Sequence, residues 1–129
     1  MKPTLDPESL RIALVLTAST GGIGRHVASV AVRLQAAGHR VRVFCPDSTA
    51  QAQGFAERGL EVRPLRSLRR AAGADVIHAH GYKAGGLALP VAKLVRAPLV
   101  VTWHNAVLGT GASARAARHC SAPSPGGPT

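Results

Sequence analysis

The sequence predicts an α/β domain, a parallel sheet with flanking helices. Three observations carry that prediction. The first is the stretch Arg11 to Leu34, RIALVLTASTGGIGRHVASVAVRL, where an apolar run meets a glycine turn and then apolar residues at helical spacing. The second is that short β-branched runs keep alternating with helix-type segments, the pattern of parallel strands joined by right-handed crossovers. The third is that Gly or Pro punctuates nearly every junction between them.

Taken in order, Ile12 to Leu16 reads as a buried strand ending at Thr17. Ala18-Ser19-Thr20-Gly21-Gly22 is a turn whose glycines permit unusual φ values and close approach of a ligand. Val27, Val30, Ala31 and Leu34 form one stripe, so a helix is predicted to about Ala37, stopped by Gly38. His39 to Cys45 is the second strand, stopped by Pro46. Ser48 or Thr49 is the predicted cap of a short helix over Ala50 to Arg58, ended by Gly59. Leu60 to Pro64 is a short third strand. Leu65, Leu68 and Ala72 interleave with Arg66, Arg69 and Arg70, which predicts a short amphipathic helix. Asp75 to Gly81 is the fourth strand and its turn. Gly85 to Val95 is the next helix, with Leu87, Val91, Leu94 and Val95 inward and Pro90 near its first turn or at a kink. Leu99 to Thr102 is the fifth strand, leading into Trp103-His104-Asn105.

The 129 residues suit one domain. Residues 1–10 are expected to be a flexible leader, 11–110 the folded domain, and 111–129, small, polar and proline-rich, a disordered tail. MKPTLDPESL has no apolar core of the signal-peptide type. No run approaches the roughly 18 to 20 apolar residues of a membrane span. Cys45 and Cys120 make neither a disulfide framework nor a metal spacing, so a reducing, cytoplasmic setting is expected.

Sixteen Lys and Arg against 6 acidic residues give a net charge of +10, which favours anionic partners. One Trp, one Tyr and two Phe provide no platform for stacking bases, so nucleic acid is not expected. Arg58, Arg63, Arg66, Arg69 and Arg70 are the densest basic patch. A solvated helix face is its first reading, and peripheral contact with an anionic membrane its second.

In open parallel sheets ligands bind beyond the carboxyl ends of the strands. Three stretches are predicted to converge there: Gly21-Gly22, His80-Gly81 and His104-Asn105. The first amides of the first helix carry partial positive charge, which suits a phosphate or other anion. His78 and His80 share one strand face, and with His104 nearby a three-nitrogen metal site is conceivable. No carboxylate follows Asp75 to support one, so no metal is expected; one histidine is read as buried and the other as lining the ligand edge. Cys45 reads as a small core residue at a strand end.

Thr17-Ala18-Ser19-Thr20-Gly21-Gly22-Ile23-Gly24 also nearly fits the glycine turn of short-chain dehydrogenases, with Ala18 in place of the first glycine. Tyr82 has Gly86 rather than lysine four places on, and Asp47 lies late for a ribose contact. An NAD(P)-binding dehydrogenase is therefore the runner-up, and a non-catalytic fragment or interaction module the alternative outside enzymes. No cofactor is expected in the leading reading.

GGIGRHV, LQAAGHRVRVFCP, DVIHAHG and PLVVTWHN, in that order, resemble the N-terminal domain of family 4 glycosyltransferases from about Arg11 to Gly109. That resemblance implies a Rossmann-like sheet, the N-terminal half of a GT-B fold. It also implies retaining transfer of a sugar from a nucleotide-sugar to a sugar or lipid-linked acceptor, with this domain mostly on the acceptor side. By position it places Gly21 and Gly22 against the donor phosphates or the acceptor, and His80 near the acceptor with Gly81 and Asn105 at the same edge. His104, of Thr102-Trp103-His104, would face the transferring sugar as the catalytic histidine, and His26 would more often serve packing. Trp103 is a further acceptor-lining candidate. Against the family pattern the chain is expected to be truncated, without the donor-binding C-terminal domain, and inactive alone.

Overall fold

The computed structural model describes residues 8–19 and 21–103. The expected leader up to residue 7, Thr20, His104, Asn105, Cys120 and the expected tail over 111–129 lie outside the described residues. Among the described residues, five parallel strands form one sheet: β1 (Arg11–Leu16), β2 (Arg40–Phe44), β3 (Glu61–Arg63), β4 (Val76–His80) and β5 (Leu99–Thr102), in the order β3-β2-β1-β4-β5. Three α-helices connect them: α1 (Gly22–Ala36), α2 (Asp47–Gln53) and α3 (Tyr82–Val95). Two 3₁₀ segments, Ala56–Arg58 and Leu65–Ala71, complete the connections. The architecture is the Rossmann-like α/β sheet that the sequence predicts.

Both faces of the sheet are covered, and alternation along the strands divides the core in two. Ile12, Leu14 and Leu16 pack with Val41, Val43 and Cys45 against Val27, Ala28 and Ala31 of α1. Ala13 and Val15 pack with Phe44, Ile77 and Ala79 against Leu68 and Ala71 of the second 3₁₀ segment and Ala84, Ala88 and Ala92 of α3. β1 therefore lies between two apolar layers, buried at five consecutive positions. Such a run, apolar without alternation, is what a strand covered on both faces requires. The order of the strands reverses direction between β1 and β4. In open sheets of this kind, ligands bind beyond the carboxyl ends of the strands at such a switch point.

Several local expectations change. The helix predicted over Ala50 to Arg58 is divided, because Gly54 takes a left-handed conformation (φ 63°) and ends α2, and a separate 3₁₀ turn follows. Extended Pro46 precedes α2, and neither Ser48 nor Thr49 caps it; Thr49 is instead buried inside it. The basic segment after Pro64 is a 3₁₀ helix rather than an α-helix. α3 begins three residues earlier than expected, and Pro90 sits in its interior.

The inward face of α3 is also different. Ala84, Gly85, Ala88 and Ala92 face the sheet, while Leu87 is 48% and Leu94 68% exposed. Val91 and Val95 sit partly buried at the margin. The cause is distance: a Cβ on Gly85 would come within 3.1 Å of both Val101 methyls, so the helix rests too close to the sheet for large side chains. In α1 the predicted stripe holds at Val27 and Ala31, with Gly24 and Ala28 buried beside them and Val30 and Leu34 half-buried. Among the described residues no helix is long and apolar enough to cross a membrane.

Candidate functional site

The β1–α1 turn is built by side chains as well as glycines. The Ser19 amide donates to Thr49 Oγ1 (3.1 Å), and Ser19 Oγ accepts from the Gly24 amide (3.0 Å). Gln53 Nε2 donates to the Gly21 carbonyl at 3.4 Å, so α2 braces the turn from one side. Gly24 makes that bracing possible, since a Cβ there would stand 2.5 Å from Gln53 Nε2. Gly21 is the N-cap of α1 with φ −121°, and left-handed φ is absent from Gly21, Gly22 and Gly24. The expected reason for these glycines, unusual φ, therefore gives way to space: a side chain at Gly21 or Gly22 would meet nothing within 4 Å. The approach to the first turn of α1 is open. Among the described residues the amides of Gly22 and Ile23 meet no acceptor, and no acidic residue lies in that turn. An anion is the natural complement of such a helix start.

Across the switch point, β4 ends in His80, which is 2% exposed. Its register partners are Leu16 of β1 and Thr102 of β5. Period-two alternation puts His78 on the same face, and the two rings stack with centroids 4.2 Å apart. His78 Nε2 and Thr102 Oγ1 are 2.5 Å apart, a hydrogen bond that ties β4 to β5. On the other side the ring of His26, from α1, meets His80 edge-to-face at 5.8 Å. Three imidazoles thus run in a row from the first helix across the carboxyl edge. His26, given a packing role by the resemblance, is exposed and belongs to that row. Among the described residues no group of three or more His, Cys, Asp or Glu is placed to hold a metal ion.

The β4–α3 junction is the third wall. Gly81 has φ 94° and ψ 158°, a conformation that requires glycine, and its amide donates to the Thr102 carbonyl at 2.8 Å. The turn brings Tyr82 beside Trp103, their rings nearly parallel (17°) with centroids 5.8 Å apart. Gly21, Gly22, His80 and Gly81 therefore gather at one edge, as expected. His104 and Asn105 lie outside the described residues, directly after Trp103. Ser19, Thr49, Gln53 and Tyr82 were not singled out for the site from sequence. Ser19 was read only as part of the turn, Thr49 as a helix cap and Tyr82 only against the dehydrogenase pattern.

The described fold is a doubly wound α/β domain: a parallel sheet with an open helix N-terminus at the switch point. The model of the glycosyl transferase 4-like domain matches residues 21–124, and the chain belongs to that family. A solved structure titled as the glycotransferase of kitacinnamycin shares the fold, with a TM-score of 0.55 and 24% identity over 74% of this chain. The chain spans 30% of the length of that structure. No curated protein matches the sequence.

Proposed function

We propose that residues 11–110 are the acceptor-side domain of a retaining, family 4 glycosyltransferase of GT-B architecture. The donor is a nucleotide-sugar and the acceptor a sugar or a lipid-linked molecule. The observation that carries this reading is the imidazole row, His26, His80 and His78, at the sheet's switch point, beside an open glycine turn at the start of α1. In the reaction the bond between the anomeric carbon and the diphosphate oxygen breaks. The acceptor oxygen bonds to the same face of that carbon, and its proton passes to the departing phosphate. Such transfer needs orientation and charge stabilisation more than a strong base. The Gly22 and Ile23 amides supply the positive end of α1 to an anionic group. His80 and Gly81 position the acceptor, Tyr82 and Trp103 offer it an apolar shelf, and His104 with Asn105 act on the transferring sugar.

The domain acts with a donor-binding partner domain, in the cytoplasm. Arg66, Arg69 and Arg70, all exposed on the 3₁₀ segment, support peripheral contact with an anionic membrane. Membership of the glycosyl transferase 4-like family favours transfer over the dehydrogenase reading. So does Asp47, which opens α2 instead of closing β2, where a ribose contact would need it.

Amide chemical shifts of the labelled chain, titrated with UDP-glucose, GDP-mannose and octyl glucoside, test the site. Shifts concentrated at Gly21, Gly22, His80 and Gly81 are expected with at least one of the three. Shifts confined to other surfaces would overturn the placement, and sugar transfer by the chain alone would overturn its dependence on a partner domain.

A further inference from the structure

The amino ends of the strands, at the opposite edge of the sheet, hold a second pocket. Arg11 of β1 is in register with Arg40 of β2, and Ala13 with Arg42. Alternation therefore puts Arg11, Arg40 and Arg42 on one face, the face covered by α3 and the Leu65–Ala71 segment. Cover runs out at this end, because the 3₁₀ segment stops at Ala71 and the chain turns through Gly73 and Ala74 into β4. What remains is a pocket of about 150 Å³ lined by the three arginines, Ala71 and Ala74.

Its charge is only partly balanced by the protein. Adjacent strands lie about 4.8 Å apart, so Arg11 and Arg40 place two like charges side by side. Arg42 is fixed from two directions: Nε lies 3.6 Å from a Glu61 carboxylate oxygen, and Nη1 donates to the Arg70 carbonyl at 3.2 Å. Glu61 also pairs with Arg63 at 3.4 Å, and Asp75 Oδ2 accepts the Arg11 backbone N–H at 2.7 Å. Among the described residues neither the Arg11 nor the Arg40 guanidinium forms an ion pair. Three guanidinium groups on one small concavity, one of them held rigid, match the oxygens of a tetrahedral dianion through paired N–H donors. The volume suits a phosphoryl group, whereas sites for whole nucleotides run to about 300 Å³ or more.

We propose that Arg11, Arg40 and Arg42 form a binding site for a phosphomonoester dianion, separate from the sugar edge at the far end of the strands. The dianion is either a free phosphomonoester or the headgroup of a phosphatidate in a membrane. The site stands on the pocket and its charges alone and does not depend on the transferase reading.

Titration calorimetry of the full 129-residue chain with inorganic phosphate, at ionic strength held constant with chloride, tests it. Saturable binding at one site is expected. Arg11→Gln and Arg40→Gln are each expected to weaken it about tenfold or more, the worth of one charge-assisted hydrogen bond. Arg58→Gln, on the turn before β3, leaves binding unchanged. Both pocket variants are expected to melt at or above the parent temperature without phosphate, since each removes a repulsion, so that lost binding is not lost fold. Co-sedimentation with phosphatidylcholine vesicles, with and without phosphatidate, distinguishes the sources. Capture by phosphatidate vesicles that fails in the Arg11 and Arg40 variants assigns the headgroup; phosphate binding without capture assigns the free ester. Phosphate binding that is absent, or equally strong in parent and both pocket variants, overturns the proposal.

Discussion

At the scale of single residues the strand positions were the most readable. The His78–His80 spacing announces a shared face, because a strand has period two whatever packs on it. His26 was not readable in the same way: its place beside His80 depends on how far α1 rides across the sheet. Ser19 and Thr49 were hidden for another reason. A hydroxyl near a helix start is read as a cap, yet Thr49 turns inward to take the Ser19 amide. Cys45 conforms to its sequence reading as a buried strand-end residue. Burial, then the neighbouring Asp47 charge, pushes its thiol up from an ordinary 9.0 to about 11. A raised thiol pKa means the folded state keeps a proton that the unfolded chain gives up. Stability therefore falls as pH rises from about 9 towards 11, by about 2 kcal/mol at the upper end. Urea unfolding across that range is expected to show this slope in the parent and not in Cys45→Ala. Gly81→Ala is expected to cost about 1 to 3 kcal/mol, because alanine cannot hold φ 94° with ψ 158° without strain. The shift of its urea midpoint checks this.

At the scale of elements, β5 matches its prediction from Leu99 to Thr102, and β1, β2 and β4 sit within a residue of theirs or inside the predicted span. The helices were read less well, and α3 shows why. Large apolar side chains suggest the buried face when an element packs at ordinary distance. α3 packs closer, so alanines and Gly85 go inward and the leucines go out. The two adjacent glycines in α3 make a sharp comparison. Alanine at either position gains about 1 kcal/mol of helix propensity. At Gly86, where nothing lies within 4 Å, that gain should appear as stabilisation. At Gly85 the 3.1 Å approach to Val101 sets a packing cost of about 1 to 3 kcal/mol against it. Gly85→Ala is therefore expected to be neutral to destabilising, and Gly85→Ala with Val101→Ala to behave less badly than the two changes summed. Thermal melts of the parent, the three single variants and the double variant decide it.

At the scale of the whole molecule, the alternation of strand and helix fixed the parallel sheet and its crossovers. It did not fix which way the chain would turn after β3, and that turn creates the switch point and the imidazole row. The apolar cores divide unevenly: Leu99 and Val101 of β5 join the α3 layer, while Val100, on the opposite face, is 49% exposed. A half-exposed valine on an edge strand invites pairing with another copy. Val100→Lys is expected to raise the monomer fraction in light scattering at high protein concentration, without moving the melting temperature by more than a few degrees.

β1, bonded on both edges and covered on both faces, also determines how the domain comes apart. The amides of Ile12 to Leu16 are shielded until the sheet and both layers open together, whereas among the described residues β3 and β5 each have one strand neighbour. Hydrogen exchange at β1 should therefore proceed only through global unfolding, and its rate reads out the stability of the entire domain. The turn that carries Gly21 and Gly22 hangs from the end of that strand. Its anchorage thus lasts as long as the fold itself, while β5, on the other side of the switch point, can loosen first.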